Sequence, residues 1–456
     1  MGVEAAQFKK DRLARTLDAL TPHCQAIWQA VVSRALERYE IDLSVIYYDL
    51  TAFIAHGEYQ GSDLVEFGFA HNTPSAKRKV KLGLNVAGDG NVPLLYQPLP
   101  GRTADKATVE ENMQRLAALL KKHGHPLGEA LVVGDRAMLD DRLALLYDAR
   151  GLRYLAGLTS HKTAHRQLVE QTSETELRRY PLNQARGRGG YWGRPVAVPF
   201  AHEGQTASHR GLVILSGPMR FARYRTRAQQ FRALWQALRQ VQTKAEAGLS
   251  RYRSPQAVQA RAETQCRQSP VGQFVTVSAT RRDGRVVLTW QVKVNELQAV
   301  MRQDGRYLLV TNDPSLSQSR MFELYRAKDG VEKDFRLSKS QLQVSPLFLH
   351  KDERIQSMLL ITMLALLTYT ILERQVRQAG LALTTRRLIE RLETLTVIET
   401  RCPDGSHCAR LARLNPEQAE LWESLRSLFP LSSFLLPTAG TPGPFPRRPA
   451  SSPARR

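Results

Sequence analysis

Tyr325, Lys328, Glu332 and Lys339 stand at offsets of three, four and seven residues in the stretch YRAKDGVEKDFRLSK. On a helix, at ~100° per residue, these side chains fall within a ~60° arc of one face. A neighbouring stripe of Leu324, Val331, Phe335 and Leu342 is what such a helix would bury against a core. One carboxylate between two ammonium groups and a phenol is an odd face to leave to solvent, and it points to a polar partner opposite. Two further acids, Asp49 and Asp135, follow apolar, strand-like runs. If those strands are neighbours, both carboxylates reach one edge, and Glu332 brings a third from a helix laid across the sheet. Three convergent carboxylates suit two hard divalent cations roughly 3.5–4 Å apart, the arrangement for in-line displacement at phosphorus. One ion lowers the pKa of the attacking water or hydroxyl, and the other stabilises the leaving oxygen. Without metal, the three anions would raise one another's pKa.

These side chains need elements to hold them. Residues 1–40 read as a helical lead-in, with apolar positions at Ala26, Val31 and Leu36. SVIYYDLTAF is a strand that ends close to Asp49, and KVKLGLNVAGDGNVPLLYQP is a hairpin about Gly88-Asp89-Gly90. ATVEENMQRLAALLKKHG is an amphipathic helix, capped by Thr103 or Asp105 and stopped at Gly124. EALVVGDRAM is a short strand running into Asp135, LDDRLALLYDARG a helix closing at Gly151, and RYLAGLTS another strand. Three strands, helix, strand, helix, strand make a mixed α/β sheet, the element order of a ribonuclease-H-like core.

That core is expected in two parts, residues 41–165 and 319–430, the second carrying the Glu332 helix and further C-terminal helices. Between them, residues 166–318 read as a basic, mainly β insertion with one long helix and a hairpin turn at Asp283-Gly284. SMLLITMLALLTYTIL, residues 357–372, is shorter than the ~20 residues a membrane span needs and reads as a buried core helix. The Pro-, Ser- and Arg-rich residues 431–456 read as disordered.

Over 456 residues, 65 Lys and Arg face 43 Asp and Glu, a formal charge of +22. A polyanionic partner follows, nucleic acid ahead of a membrane surface. Arg220, Arg223, Arg225, Arg227, Arg232 and Arg239 crowd one helix with few acids, which suits DNA phosphates better than a merely solvated face. The start, MGVEAAQFKKDRLARTL, has no apolar leader segment, so a cytoplasmic protein is expected. Four cysteines are too few for a disulfide scaffold. Cys402 and Cys408 flank PDGSH, which reads as a turn between two short strands rather than a zinc site with His407. His161 and His165 read as a solvated helix edge rather than a metal pair.

The third motif resembles that of bacterial insertion-sequence transposases of the DDE type, in the branch with the Tyr-x2-Arg-x3-Glu-x6-Lys signature. Here the pattern stands as Tyr325, Lys328, Glu332 and Lys339, inside VEKDFRLSKS. YDLTAF around Asp49 and GDRAM around Asp135 resemble the two earlier acidic motifs, and GLNVAGDGNVPLLYQPLPGRTAD the hairpin between them. The likeness runs from about residue 44 to 375. It implies a transposase that cleaves transposon ends and transfers the strand to target DNA. It also implies two Mg²⁺ or Mn²⁺ ions held by Asp49, Asp135 and Glu332, with DNA contacts from Tyr325, Lys328, Lys339 and Arg336. Double-stranded DNA, both transposon ends and target, and a homodimer on paired ends are the implied partners. Relatives can hold a flipped base with a tryptophan of the insertion, yet no motif selects Trp192 or Trp290.

Three departures stand out. Lys328 replaces an arginine and its bidentate fork. Arg102 stands in PGRTAD where a small polar residue is common. Only 48 residues precede Asp49, which suits a shortened copy. The alternative is therefore a catalytically inactive or truncated DNA-binding relative that occupies transposon ends. A host nuclease of the same fold would leave the lysines of the third motif unexplained.

Overall fold

The chain was analysed as a computed structural model that describes residues 9–70, 74, 76–158, 162–183, 189–340, 342, 344–401 and 407–428. Helices α1 (Lys10–Leu20) and α2 (Cys24–Tyr39) precede strands β1 (Val45–Ile54), β2 (Glu66–Phe67), β3 (Arg78–Ala87) and β4 (Pro93–Pro100). Helix α3 (Val109–Lys122), strand β5 (Leu131–Gly134), helix α4 (Asp141–Ala149) and strand β6 (Arg153–Leu158) follow. Short helices α5 (Thr163–Gln171) and α6 (Glu174–Arg178) lead to the long strands β7 (Tyr191–His202) and β8 (Gln205–Ser216). Then come α7 (Gly217–Glu246), α8 (Pro255–Gln268), β9 (Val275–Arg282), β10 (Arg285–Val292) and α9 (Val294–Gln303). Strand β11 (Arg306–Thr311) returns to the sheet, followed by α10 (Gln318–Ala327), α11 (Asp329–Ser340) and α12 (Asp352–Gln378). Helix α13 (Thr385–Leu392), a hairpin of β12 (Val397–Arg401) and β13 (His407–Leu411), and α14 (Pro416–Leu428) complete the described chain.

Nine strands form one sheet in the order β2-β3-β1-β5-β6-β11-β8-β7, with β4 also on β3. Strands β4, β3 and β1 are antiparallel neighbours, and β1, β5 and β6 run parallel. This is the ribonuclease-H-like order, as the element sequence predicts. The β3–β4 hairpin forms as expected, and its turn is tied to the far end of the molecule. Gly90 has φ +80°, and a Cβ there would come within 3.0 Å of the Arg374 side chain. The Arg374 guanidinium donates to both Asp89 oxygens, at 2.8 and 2.6 Å, and to the Tyr39 carbonyl at 2.9 Å.

The stretch 166–318 differs from the expected mainly β insertion. Strands β7, β8 and β11 extend the main sheet beyond β6. What remains, residues 217–303, is mainly helical, with one hairpin, and surrounds its own cluster of Leu234, Leu238, Val258, Phe274, Val286 and Leu288. Asp283 and Gly284, at φ +49° and +76°, do form the turn between β9 and β10.

Local corrections have simple causes. Helix α2 buries Cys24, Trp28, Val32, Ala35 and Leu36, so Val31 lies on the exposed side of the apolar stripe. Its anchor is Trp28, whose indole N–H donates to the Leu94 carbonyl at 3.1 Å. Helix α3 is preceded by a 3₁₀ turn, Asp105–Thr108, so neither Thr103 nor Asp105 caps it. Asp105 is engaged instead by the buried Lys81 ammonium at 2.9 Å. His165 is buried, its Nε2 2.9 Å from the Pro199 carbonyl oxygen, and is not on a solvated edge. His161, the turn between Cys402 and His407, and residues 431–456 lie outside the described residues. Helix α12 is long and apolar enough to cross a membrane, and half of its apolar window is buried within the protein. Ile355, Leu359, Leu360, Met363 and Leu366 are its fully buried core positions.

Candidate active site

The parallel pairing of β1 with β5 sets Val45 beside Leu131, Ile46 beside Val132 and Tyr47 beside Val133. Continued by two residues, that register brings Asp49 level with Asp135. The strand carrying Asp49 runs on to Ile54, five residues further than the sequence suggests, because β3 pairs with it along that whole length. Its other edge is left by β5, which ends at Gly134. The chain turns there because the Asp135 carboxylate accepts the Arg136 N–H at 2.8 Å and starts a 3₁₀ turn. Beyond Tyr47, therefore, one side of β1 is open to α11, which packs across it.

Helices α10 and α11 nearly form one rod, interrupted at Lys328, and bury Leu324, Val331 and Phe335 as the stripe predicts. Around the two aspartates they bring together three of the expected side chains. The Lys328 ammonium lies 3.2 Å from Asp49 Oδ2, with both side chains largely buried. The Tyr325 hydroxyl donates weakly to Asp135 Oδ1 at 3.4 Å. The Lys339 ammonium is 5.8 Å from the Phe53 ring centroid, close enough for a cation–π contact. Glu332 and Arg336 lie on the exposed side of α11.

Burial pushes the Asp49 carboxyl up; the Lys328 charge opposes this and the Asp135 charge adds to it. Burial pulls the Lys328 pKa down, but Asp49, Asp135 and Glu332 together outweigh it and leave it raised. Lys339 is pulled down by burial, with Asp49 partly compensating. One ammonium thus answers three carboxylates. The donor set fits a hard divalent cation, since an ammonium already sits where positive charge is demanded. As they stand, however, no three acidic, His or Cys side chains among the described residues are grouped closely enough to hold an ion.

Two contributors escaped the sequence reading. Gly157 on β6 lies beneath the site: a Cβ there would come within 2.2 Å of Arg136 Cγ and 2.8 Å of the Tyr325 hydroxyl. A glycine inside a strand, as in AGLTS, is the signal that marks such a close approach. Tyr307 on β11 lies under Tyr325, ring centroids 6.3 Å apart. Of the two unassigned tryptophans, Trp290 packs on Trp235 in the 217–303 cluster. Trp192 carries the Arg178 guanidinium 4.8 Å above its ring and lines a cavity of about 400 Å³ with Arg220, Phe221 and Tyr224.

The strand order, the two level aspartates and the acid-bearing helix packed on β1 define the ribonuclease-H-like class. The chain belongs to the transposase DDE domain family, whose model matches residues 44–368. DDE transposases as a family act with divalent metal ions. No curated protein matches the chain. Among solved structures, the piggyBac transposase synaptic complex with hairpin DNA is similar at 11% identity, with a TM-score of 0.40 over 85% of this chain. The chain spans 59% of that protein's length. The Mos1 transposase paired-end complex with left transposon end matches 37% of this chain and 48% of that one, at 12% identity and a TM-score of 0.18.

Proposed function

We propose that this chain cleaves a phosphodiester at a transposon end and joins the freed strand to target DNA. The observation that carries the reading is the level register of Asp49 and Asp135, with Lys328 answering both and Glu332. In the first step a water oxygen bonds to phosphorus and the P–O3′ bond breaks, leaving a 3′ hydroxyl. In the second step that hydroxyl attacks a target phosphodiester, and a target 3′ oxygen leaves. Asp49, Asp135 and Glu332 would hold two Mg²⁺ or Mn²⁺ ions, which supply an acidified water or hydroxyl and countercharge at the leaving oxygen.

The chain's own side chains do the positioning. Tyr325, donating to Asp135, holds that carboxylate against the sheet edge. Lys339 and, from deeper in the site, Lys328 offer point charges to phosphate oxygens, and Arg336, one turn beyond Glu332, offers a guanidinium fork. Two ends must be processed together, so the reading includes a homodimer acting on bacterial DNA in the cytoplasm.

The test is cleavage of labelled duplex carrying the element's own end, with Mg²⁺ or Mn²⁺, comparing the chain with Glu332→Gln. Nicking at the end that disappears in the variant supports the reading and the role of Glu332. Binding without cleavage by either protein would end the catalytic assignment.

A further inference from the structure

Helix α7 contains 30 residues, and five of its six arginines divide into two sets. Arg220 and Arg227, seven residues apart, turn inward: Arg220 pairs with Glu174 at 2.9 Å, and Arg227 forks onto the buried Asp304 at 2.5 and 3.0 Å. The Arg220 hydrogen bond first, with Arg178 adding to it against the cost of burial, holds the Glu174 carboxyl down at about 2. Arg225, Arg232 and Arg239 also repeat every seven residues, but on the opposite, exposed side. None of these three meets a carboxylate among the described residues, and Glu246 is the helix's only acid. Seven residues of helix drift only ~20° in azimuth, so the three form one straight stripe.

The surroundings reinforce this imbalance. Residues 217–303 contain sixteen Arg and Lys against four Asp and Glu, a surplus of twelve within a chain total of +22. A stability role would need carboxylates opposite these arginines, as Arg220 and Arg227 have. A run of unpaired guanidiniums on one straight face demands an anion of matching length.

The helix also begins beside the candidate active site. It leaves β8 at Ser216; Ile214 on that strand pairs with Tyr307, whose ring faces Tyr325. Its first half contributes no buried residue, while Leu234, Leu238, Val241 and Ala245 anchor its second half in the 217–303 cluster. At 1.5 Å per residue, Arg225, Arg232 and Arg239 lie about 12, 22 and 33 Å from its start. On a duplex rising 3.4 Å per base pair those distances correspond to about 4, 7 and 10 base pairs.

We propose that the outward arginine stripe of α7 binds the phosphate backbone of one DNA duplex, following it for about one helical turn away from the bond cut at Asp49, Asp135 and Glu332. The inference rests on the DNA-processing reading of that site and extends it to a second surface that sets how much flanking duplex the protein requires.

The experiment compares the full chain with the triple variant Arg225→Gln/Arg232→Gln/Arg239→Gln on a ~40-base-pair duplex carrying the element's end. The expected result is a salt dependence of binding whose log–log slope is shallower by about 2.7, at ~0.9 per lost phosphate contact. Hydroxyl-radical protection should vanish about 4–10 base pairs from the nick and persist at the nick itself. An unchanged slope and footprint in a triple variant with normal thermal melting would overturn the proposal while leaving the cleavage reading intact. A shallower slope in a protein that never nicks would uphold the stripe and remove the catalytic reading; no DNA binding by the parent chain would remove both. As a control, Arg220→Gln/Arg227→Gln should lower the melting temperature without moving the slope.

Discussion

Lys328 carries the charge balance of the site. Its ammonium is the nearest positive group to Asp49, and it is influenced by Asp135 and Glu332 as well. Replacing it by an apolar isostere leaves three acids with only repulsion between them. Lys328→Met should therefore melt several degrees lower than the parent in chelator, and millimolar Mn²⁺ should raise its melting temperature more than the parent's. Equal Mn²⁺ responses in a thermal-shift assay would argue that these carboxylates do not share a cation site. Gly157 operates by shape rather than charge. In Gly157→Val the branched side chain would displace Arg136 and Tyr325, which occupy that space. Nicking should fall by about ten- to a hundredfold, the usual effect of a misplacement near 1 Å, with little change in DNA affinity.

At the scale of elements, α11 meets α12 through an unusual residue. Asp334 is buried, its Oδ2 has no hydrogen-bond partner among the described residues, and burial first, then the Glu373 charge, pushes its pKa up to about 8 against a weaker pull from Lys333. The folded chain thus retains a proton that the unfolded chain releases near the ordinary value of 3.8. Stability from this group is complete below that value and is lost as pH rises towards 8. Asp334→Asn keeps the shape and removes the titration. Its melting temperature should fall less than the parent's between pH 6 and pH 8, and a parallel fall in both would refute the assignment.

The same elements show what the sequence could and could not reveal. Helices α10 and α11 were legible because four polar and four apolar residues kept helical period over two turns and more. The adjacency of β1 and β5 was legible from element order alone. The membership of β7, β8 and β11 in the main sheet was not. Their alternation suits a separate sheet equally well, and the choice is made by β8 pairing with β11 some ninety residues later. Gly157 was visible, but only the path of Tyr325 above it reveals what it makes room for.

For the whole molecule, Arg374 joins three distant pieces: the turn between β3 and β4, the end of α2 and the helix α12. Its side chain is 8% exposed and that of Asp89 28%, so its removal leaves a half-buried carboxylate and a carbonyl without their donor. Arg374→Met should cost about 1.5–3 kcal/mol, the usual worth of hydrogen bonds to a charged group. Chemical denaturation would measure it, and a loss under 1 kcal/mol would mean the three pieces hold without it.

The path out to residues 217–303 and back has a separate consequence. The chain departs from the end of β8 and returns at the start of β11, and these strands are antiparallel neighbours. The Ser216 N–H donates to the Gly305 carbonyl at 2.8 Å at the neck, next to the Arg227 fork onto Asp304. Geometrically the whole excursion is the tip of a very long hairpin. A tip can lengthen, shrink or be exchanged over generations without shifting the register of any strand beneath it. A different length or fold at that neck would therefore leave the pairing of β8 with β11, and the position of Tyr307 beneath Tyr325, unchanged.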